Sequence, residues 1–195
     1  MHPKEEKTCV LIKPDGTKRG LIGEIIKRIE QRGLKVAALS MVWATKEQID
    51  EHYPKDERWI RRLGEKTLLT YQKYGLDPEK EVGTADPFQI GLKVRGWLID
   101  YLTSAPIVKM VVQGVHAIDM VRKLAGNSQP ALAEMGTIRG DYSVDSAASA
   151  NRDKRAIHNI IHASETPEEA EHEIRFWFKK DEIYDYKISE EEMMF

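Results

Sequence analysis

Short aliphatic runs alternate along this chain with stretches in which apolar residues recur every three to four positions. The short runs predict strands, and the periodic stretches predict helices. The predicted strands are residues 8–12, 34–43, 107–112 and 159–162. The predicted long helices are residues 23–31, 92–103, 116–125 and 167–178. This order predicts an α+β fold, a ferredoxin-like βαββαβ sandwich with helices on one face of a small antiparallel four-stranded sheet.

Cap and stop residues support several of these boundaries. Gly33 is placed to end the first long helix, since glycine accepts the left-handed conformation that follows a helix. Residues 45–48 form a capping-box pattern that predicts a short helix reaching about Tyr53. Thr166 with Glu169 forms a second such pattern and predicts that a helix begins immediately after the fourth strand.

Two segments depart from the regular pattern. Residues 54–93 are rich in charge and turn signals, and residues 143–156 are small and polar and then basic. A structureless loop of the first length is unusual in a compact domain, so we expect helical pieces packed outside the core. We therefore interpret residues 1–195 as one domain with surface insertions at about 54–93 and 143–156. Residues 127–136 are expected to be an extended loop and residues 137–142 a short connector.

Composition narrows the class of protein. The 195 residues are 41% hydrophobic and 32% charged, which is typical of a globular rather than a disordered chain. The net charge of −2 disfavours a general nucleic-acid binder, which is usually basic. The one cysteine, Cys9, excludes a disulfide framework and a cysteine-based metal site. Without a signal-peptide pattern or a membrane-spanning run, we expect a cytoplasmic protein that does not associate with membranes.

His162 stands at the end of a predicted strand, immediately before a predicted helix. Imidazole is a nucleophile near neutral pH, and a helix N-terminus favours phosphate. Most single histidines are structural, so this position is informative only together with its surroundings. His158 and His162 have a spacing that could hold zinc on a helix, but a third ligand is not evident and we do not predict a zinc site.

Several cationic and polar residues, each ordinary by itself, together match what a polyphosphate requires. Lysine supplies a point charge, arginine supplies a planar fork that fits phosphate oxygens, and hydroxyl and amide groups donate further hydrogen bonds. The candidates for this role are Lys13, Arg122, Ser128, Arg139 and Asn159. Phosphoryl transfer depends mainly on such positioning and charge neutralisation.

The sequence resembles the nucleoside diphosphate kinases over nearly its whole length apart from the two insertions and the tail. The signature Asn-x-x-His-x-Ser is present at residues 159–164, with the active histidine in place. The other matching motifs are KPDG at 13–16, RGLIGEII at 19–26, EHY at 51–53, GTIRGDY at 136–142 and FWF at 176–178. Their number and order make the resemblance specific, and the insertions resemble those of extended archaeal-type members.

The resemblance implies a ping-pong reaction through phosphorylated His162, which would take the γ-phosphate of a triphosphate such as ATP and pass it to a diphosphate such as GDP. Glu173 would orient the imidazole, and Tyr53 and Ser164 would place hydroxyls nearby. The resemblance further assigns a phosphate clamp and contacts to the sugar 3′-hydroxyl. The clamp residues would be Lys13, Arg122, Ser128 and Arg139, and the sugar contacts would be Lys13 and Asn159.

The resemblance also implies that Mg²⁺ is carried on the nucleotide, with no direct protein ligand, and that copies of the chain form hexamers or tetramers. The apolar tail at residues 193–195 could pack on a neighbour or on its own subunit. Two positions depart from the family pattern. Ala163 replaces a glycine, and Val94 stands where many members have a phenylalanine that stacks on the base, so we expect an aliphatic base contact at Val94. The alternative is a nucleotide-binding scaffold that has lost turnover.

Overall fold

The computed structural model describes residues 5–189, so the tail at 193–195 lies outside the described residues. The strands are β1 (Lys7–Ile12), β2 (Lys35–Val42), β3 (Ile107–Gln113) and β4 (Ile161–Ala163). The helices are α1 (Pro14–Lys18), α2 (Ile22–Gln31), α3 (Lys46–His52), α4 (Glu57–Lys73), α5 (Pro78–Val82), α6 (Pro87–Leu102), α7 (Ala117–Ala125), α8 (Ile138–Tyr142), α9 (Ala147–Arg152) and α10 (Pro167–Trp177). Among the described residues, no helix has the length and apolar character that a membrane span requires.

The four strands form one antiparallel sheet in the order β2-β3-β1-β4, which confirms the ferredoxin-like prediction. Alternate side chains of β1 point to opposite faces of the sheet. Val10 belongs to a core shared with α2 and α7, whereas Leu11 belongs to a core shared with α3, α6 and the end of α10. Helices therefore cover both faces, and the expectation of helices on one face alone is corrected.

The helix caps lie where the sequence predicted them, whereas residues 137–142 and 127–136 differ from the predicted connector and loop. Gly33 is left-handed with φ 77°, and Thr45 and Gln48 complete their capping box. Residues 137–142 are a helix rather than a connector, since the Thr137 hydroxyl accepts from the Gly140 N–H and starts α8. The loop at 127–136 contains one 3-10 turn, Pro130–Leu132.

The first insertion is helical, as expected, and packs outside the main core. Helix α4 runs along α6, and a small cluster of Tyr71, Val82 and Ile90 fills the space among α4, α5 and α6. The two long helices approach closely at glycines. A Cβ at Gly64 would lie 1.8 Å from the Pro87 carbonyl oxygen, and one at Gly91 would lie 1.9 Å from the Ile60 carbonyl oxygen. The crossing therefore admits no side chain at either position.

The second insertion folds around one ion pair. Arg155 donates to both carboxylate oxygens of Asp145, at 2.6 and 3.1 Å, so the pair is bidentate. Asp145 also accepts from the backbone N–H of His158 at 2.7 Å. These bonds close the loop that carries α9 and return the chain to the start of β4.

The glycine crossing gives a first prediction. Gly91→Ala should lower the free energy of unfolding by about 1–3 kcal/mol, because the new methyl group meets backbone and forces α4 and α6 apart. Gly96→Ala is the matched control, since it lies in the same helix with open space at its Cβ. That variant should be neutral or more stable by roughly 0.5–1 kcal/mol. Urea denaturation measures both, and equal stability of the two variants would contradict the packing.

Candidate active site

His162 lies in β4, directly opposite Leu11 of β1, so its side chain faces the core formed with α3, α6 and α10. Its Nε2 atom is 2.7 Å from Oε1 of Glu173, which projects from α10. Within residues 5–189, no hydrogen bond engages Nδ1. The geometry thus assigns different tasks to the two ring nitrogens, with Nε2 held by the carboxylate and Nδ1 left for a ligand.

Glu173 is almost completely buried, and its second oxygen is also engaged. The Ser164 hydroxyl donates to Oε2 at 2.7 Å, and the Cys9 backbone N–H donates to the same hydroxyl at 3.2 Å. Burial alone would raise the pKa of Glu173, but the attraction of His162 and the hydrogen bonds from His162 and Ser164 hold this pKa below its usual range. Glu173 is therefore an ionised carboxylate, and it accepts a hydrogen bond from the protonated Nε2 of His162.

His52 adds a second imidazole that the sequence analysis did not single out. Its ring meets that of His162 edge to face, with centroids 5.2 Å apart, and Trp177 Nε1 donates to its Nδ1 at 3.4 Å. Burial, with a smaller contribution from the repulsion that the two imidazoles would feel if both were protonated, lowers the pKa of His52 to about 3. His52 is therefore neutral, and its 3.6 Å approach to Glu173 is not an ion pair. Its place directly before Tyr53, inside a motif that the resemblance already used, was the available signal.

A tight turn precedes His162. Ile160 has φ 68°, and the Ile161 N–H donates to the Asn159 carbonyl at 2.7 Å, which together define a γ-turn. Such a conformation costs about 1–3 kcal/mol for a β-branched residue and persists only when its surroundings hold it. Here the Ile160 N–H donates to Asp15 at 3.0 Å, and the Ile160 carbonyl accepts from the Lys13 N–H at 2.7 Å.

This turn corrects the predicted strand at residues 159–162. The turn engages the Asn159 carbonyl, and the Ile160 N–H donates to Asp15, so the ladder with β1 begins only at Ile161. The apolar pattern at Ile160 and Ile161 reports burial of both side chains rather than strand geometry at both positions.

Lys13 and Asn159 are brought together from opposite ends of the chain. Lys13 Nζ donates to Asn159 Oδ1 at 2.7 Å, and Asn159 Nδ2 donates to the Ser128 carbonyl at 2.8 Å. Burial, with a smaller contribution from the charge of Arg139, lowers the pKa of Lys13 to about 7. This amine therefore changes charge near neutral pH, unlike an ordinary surface lysine.

Arg139 lies next to Lys13 and Asn159 and donates hydrogen bonds to the backbone of this region. Its guanidinium donates to the carbonyls of Gly126 at 2.6 Å, Asn159 at 3.1 Å and Ile161 at 2.6 Å. Burial lowers its pKa to about 10, which still leaves it charged at neutral pH. Arg139 thus supplies a fixed positive charge and holds together the loop after α7 and the segment around β4.

Arg122 lies on α7 and makes an ion pair across the cleft mouth. It donates to the backbone oxygen and to Oε1 of Glu165, both at 3.2 Å. Glu165 in turn donates its N–H to Glu169 at 2.6 Å, and burial raises the pKa of Glu169. Only half of the expected capping box is therefore present, since Thr166 accepts from the Glu169 N–H while the Glu169 carboxylate turns to Glu165.

These groups border one cleft of about 690 Å³. The sequence-predicted residues that line it are Lys13, Tyr53, Arg122, Ser128, Arg139, Asn159 and His162. Ser164 and Glu173 lie beneath the histidine, where they are buried. Burial raises the pKa of Tyr53, so its hydroxyl stays protonated and can donate.

Val94 is not among the residues that border this cleft, so the structure gives no support to the base contact predicted there. It packs with the cluster of Tyr71, Val82 and Ile90 on the outer side of α6. The cleft instead receives Trp59, from the start of the first insertion, and Leu98, one helical turn beyond Val94. Sequence reasoning missed Trp59 as a site residue, although an aromatic six positions after Tyr53 was the available signal.

The sequence of this chain is similar to those of one family of known proteins. The family model described as nucleoside diphosphate kinase matches residues 6–59 and 94–183. The nucleoside diphosphate kinase of Pyrobaculum aerophilum is 49% identical over 178 residues, covering 91% of this chain and 97% of that protein. The nucleoside diphosphate kinase of Pyrococcus furiosus is 40% identical over 181 residues, covering 93% of this chain and 88% of that protein.

Two solved structures have the same fold. A crystal structure of an NDP kinase from Pyrobaculum aerophilum superposes with a TM-score of 0.91 at 46% identity, covering 93% of this chain and 100% of that chain. A transition-state mimic of the nucleoside-diphosphate kinase from Borrelia burgdorferi, with bound vanadate and ADP, gives a TM-score of 0.78 at 35% identity. That match covers 96% of this chain and 95% of the other.

The support of the γ-turn gives a second prediction. Asp15→Ala should lower the free energy of unfolding by about 1–3 kcal/mol, since the buried N–H of Ile160 and the Tyr101 hydroxyl both lose their acceptor. Asp15→Asn is the matched control, because an amide oxygen can accept from Ile160 while its NH₂ group donates to the phenol. Chemical denaturation and amide exchange at Ile160 check this. Equal losses in both variants would show that the turn does not depend on these bonds.

Proposed function

The chain belongs to the nucleoside diphosphate kinase family, and from this premise we propose that it transfers the γ-phosphate of a nucleoside triphosphate to a nucleoside diphosphate through phosphorylated His162. The observation that carries the proposal is that the two ring nitrogens of His162 are engaged differently. Its Nε2 is held by the buried Glu173 carboxylate, while the ring borders a cleft rich in cationic side chains.

In the first half-reaction, the Nδ1 lone pair attacks the γ-phosphorus in line with the bridging oxygen. The Nδ1–P bond forms as the bond between that oxygen and phosphorus breaks, and the nucleoside diphosphate leaves. No proton needs to move, because Nε2 keeps its hydrogen and donates it to Glu173. The carboxylate stabilises the positive charge that develops on the phosphorylated ring.

In the second half-reaction, a terminal β-phosphate oxygen of the incoming diphosphate attacks the same phosphorus and the N–P bond breaks. The electron pair returns to Nδ1, which regenerates the free imidazole. Donor and acceptor occupy one cleft in turn, so contacts to the phosphates matter more than contacts to the base, and the substrate range is broad.

The cations of the cleft match the charge that this chemistry spreads over phosphate oxygens. In our proposal, Lys13 and Arg139 supply positive charge beneath the transferred group, and Arg122 exchanges its exposed partner Glu165 for phosphate oxygens. Ser128 and the Tyr53 hydroxyl donate further hydrogen bonds, and Lys13 with Asn159 contacts the sugar 3′-hydroxyl. Ser164 acts on Glu173 rather than on the ligand, since it is fully buried.

Enzymes of this family use a divalent cation, and we propose that here Mg²⁺ arrives on the nucleotide phosphates. The carboxylates of Asp119, Glu165 and Glu169 border the cleft and are hard oxygen donors that suit the water shell of Mg²⁺. The compact group of His52, His162 and Glu173 does not suit Mg²⁺, because two of its members are nitrogen ligands. When bound, the cation neutralises phosphate charge.

The proposal includes one catalytic domain spanning the chain and association of its copies into hexamers or tetramers. Support for association comes from the edge strand β2 and the residue directly after it, where Leu39, Met41 and Trp43 are 51%, 57% and 64% exposed. An exposed apolar strand edge is a surface that a second copy can cover. A cytoplasmic setting fits the one cysteine, Cys9, which is a buried free thiol.

The third prediction tests the nucleophile. Wild-type protein mixed with Mg²⁺ and γ-labelled ATP should acquire acid-labile, alkali-stable label, and addition of GDP should move that label to GTP. His162→Ala should take up no label, whereas His172→Ala, an exposed histidine on α10, should behave as wild type. Label on the His162→Ala protein would show that another residue is phosphorylated. Bound ATP without label on the wild type would favour a scaffold.

The fourth prediction follows from the lowered pKa of Lys13. At pH 8 the free amine, with a pKa of about 7, is largely neutral, and a phosphate beside it raises its pKa. ADP binding at pH 8 should therefore take up close to one proton, and the affinity should weaken as the pH rises above 7. Calorimetry in buffers of different ionisation enthalpy measures this uptake.

Lys13→Arg is the control for proton uptake, because a guanidinium remains charged at pH 8 and has no proton to gain. The observed enthalpy of ADP binding to this variant should be the same in buffers of different ionisation enthalpy. Equal proton uptake by the wild type and the Lys13→Arg variant would show that another group titrates on binding.

A further inference from the structure

The residues that line the cleft include a cationic group and an apolar group. Lys13, Arg122 and Arg139 are cationic and fit a polyphosphate, whereas Trp59 and Leu98 are apolar and do not. A nucleotide combines a polyanion with a flat aromatic base. The apolar part of the lining is therefore the part that fits the base.

Helix α6 does not supply an aromatic surface to this cleft. Val94 packs into the outer cluster, and Trp97 is shared between that cluster and the core beneath the sheet. Trp97 borders a different, smaller cavity together with Val82 and Lys93. Among the described residues that line the main cleft, the aromatic rings outside the histidines are Tyr53 and Trp59.

Trp59 is held in place by local bonds. It lies in the first turn of α4, where its N–H donates to the capping carboxylate of Asp56 at 2.9 Å. Its indole lies beside the ring of Tyr53, with centroids 5.8 Å apart and an angle of 28° between the planes. The side chain is half-buried, so part of its surface remains open to the cleft.

Longer-range contacts fix this position relative to the phosphate end of the cleft. The glycine crossing at Gly64 and Gly91 docks α4 on α6 without intervening side chains. The buried guanidinium of Arg95 donates to the carbonyls of Asp50 at 2.6 Å and Pro54 at 3.3 Å, so the segment that leads from α3 to α4 is tied to α6 as well. Trp59 is consequently held at the side of the cleft by bonds and packing to α6.

We propose that Trp59, in the first turn of α4 and at the boundary of the first insertion, is the surface on which the nucleobase stacks. The inference rests on the proposed function for the identity of the ligand. Every base presents a π-face, so stacking on indole accepts all nucleotides while favouring the larger purines. Trp59 is thus a specificity-determining residue that contacts substrate, and Val94 is not.

The test compares a ligand that has a base with one that lacks it. Calorimetry should show that Trp59→Ala weakens binding of Mg²⁺–ADP on the order of tenfold or more. Binding of Mg²⁺–pyrophosphate should change less than about twofold, because the phosphate contacts remain. Trp59→Phe should recover most of the ADP affinity, and the preference for ADP over CDP should shrink in Trp59→Ala.

Trp97→Phe is the control, since it alters a tryptophan of the neighbouring helix α6 that does not border the cleft. It should leave the affinities for ADP and pyrophosphate unchanged. Unchanged ADP affinity in Trp59→Ala would overturn the proposal, as would an equal loss for both ligands, which would indicate distortion of the whole cleft. Binding is measured without turnover, so a failure of His162 to accept label would refute the proposed function while leaving this result intact.

Discussion

The hydrogen bond between His162 Nε2 and the buried carboxylate of Glu173 is the interaction on which the site depends. A carboxylate in an apolar setting is costly unless its oxygens are matched, and here both are matched, one by the imidazole and one by the Ser164 hydroxyl. Because Ser164 is also bonded to the backbone of Cys9, the carboxylate is tied to the central strand β1. His52 approaches the same carboxylate but remains neutral, so the negative charge is left to act on His162.

The position of this pair follows from the strand order. Strands β1 and β4 are neighbours in the sheet although 146 residues separate Lys13 from Asn159, so a lysine that follows the first strand meets the amide that precedes the last. The strained turn at Ile160 lies at this junction, and the backbone of Lys13 and the carboxylate of Asp15 hold it from the β1 side. Strain at Ile160 is thus offset by contacts from the segment that also supplies the lysine.

The first insertion modifies the cleft without disturbing the sheet. It adds α4 and α5 on the outer side of α6, and a pair of glycines, Gly64 and Gly91, allows α4 and α6 to cross closely. Its first turn nevertheless reaches the cleft through Trp59. The cationic residues of the cleft, Lys13, Arg122 and Arg139, come from outside this insertion.

The sequence by itself determined those features that depend on near neighbours along the chain. Aliphatic runs and helical periodicity located the strands and the long helices outside the first insertion, and threonine caps located the starts of α3 and α10. These features are local, because burial on one face and satisfaction of the first backbone N–H groups are decided within a few residues.

Only the tertiary structure decided which nitrogen of His162 is free, that His52 lies beside the Glu173 carboxylate without pairing with it, and that Trp59 rather than Val94 borders the cleft. Each of these depends on side chains that approach one another across long sequence separations. Sequence spacing also cannot decide which residue beside an insertion takes a given place in the fold, because the alignment gap can be set at several positions. The γ-turn at Ile160 was hidden for a related reason, because a buried isoleucine has the same pattern in a strand as in a strained turn held by distant groups.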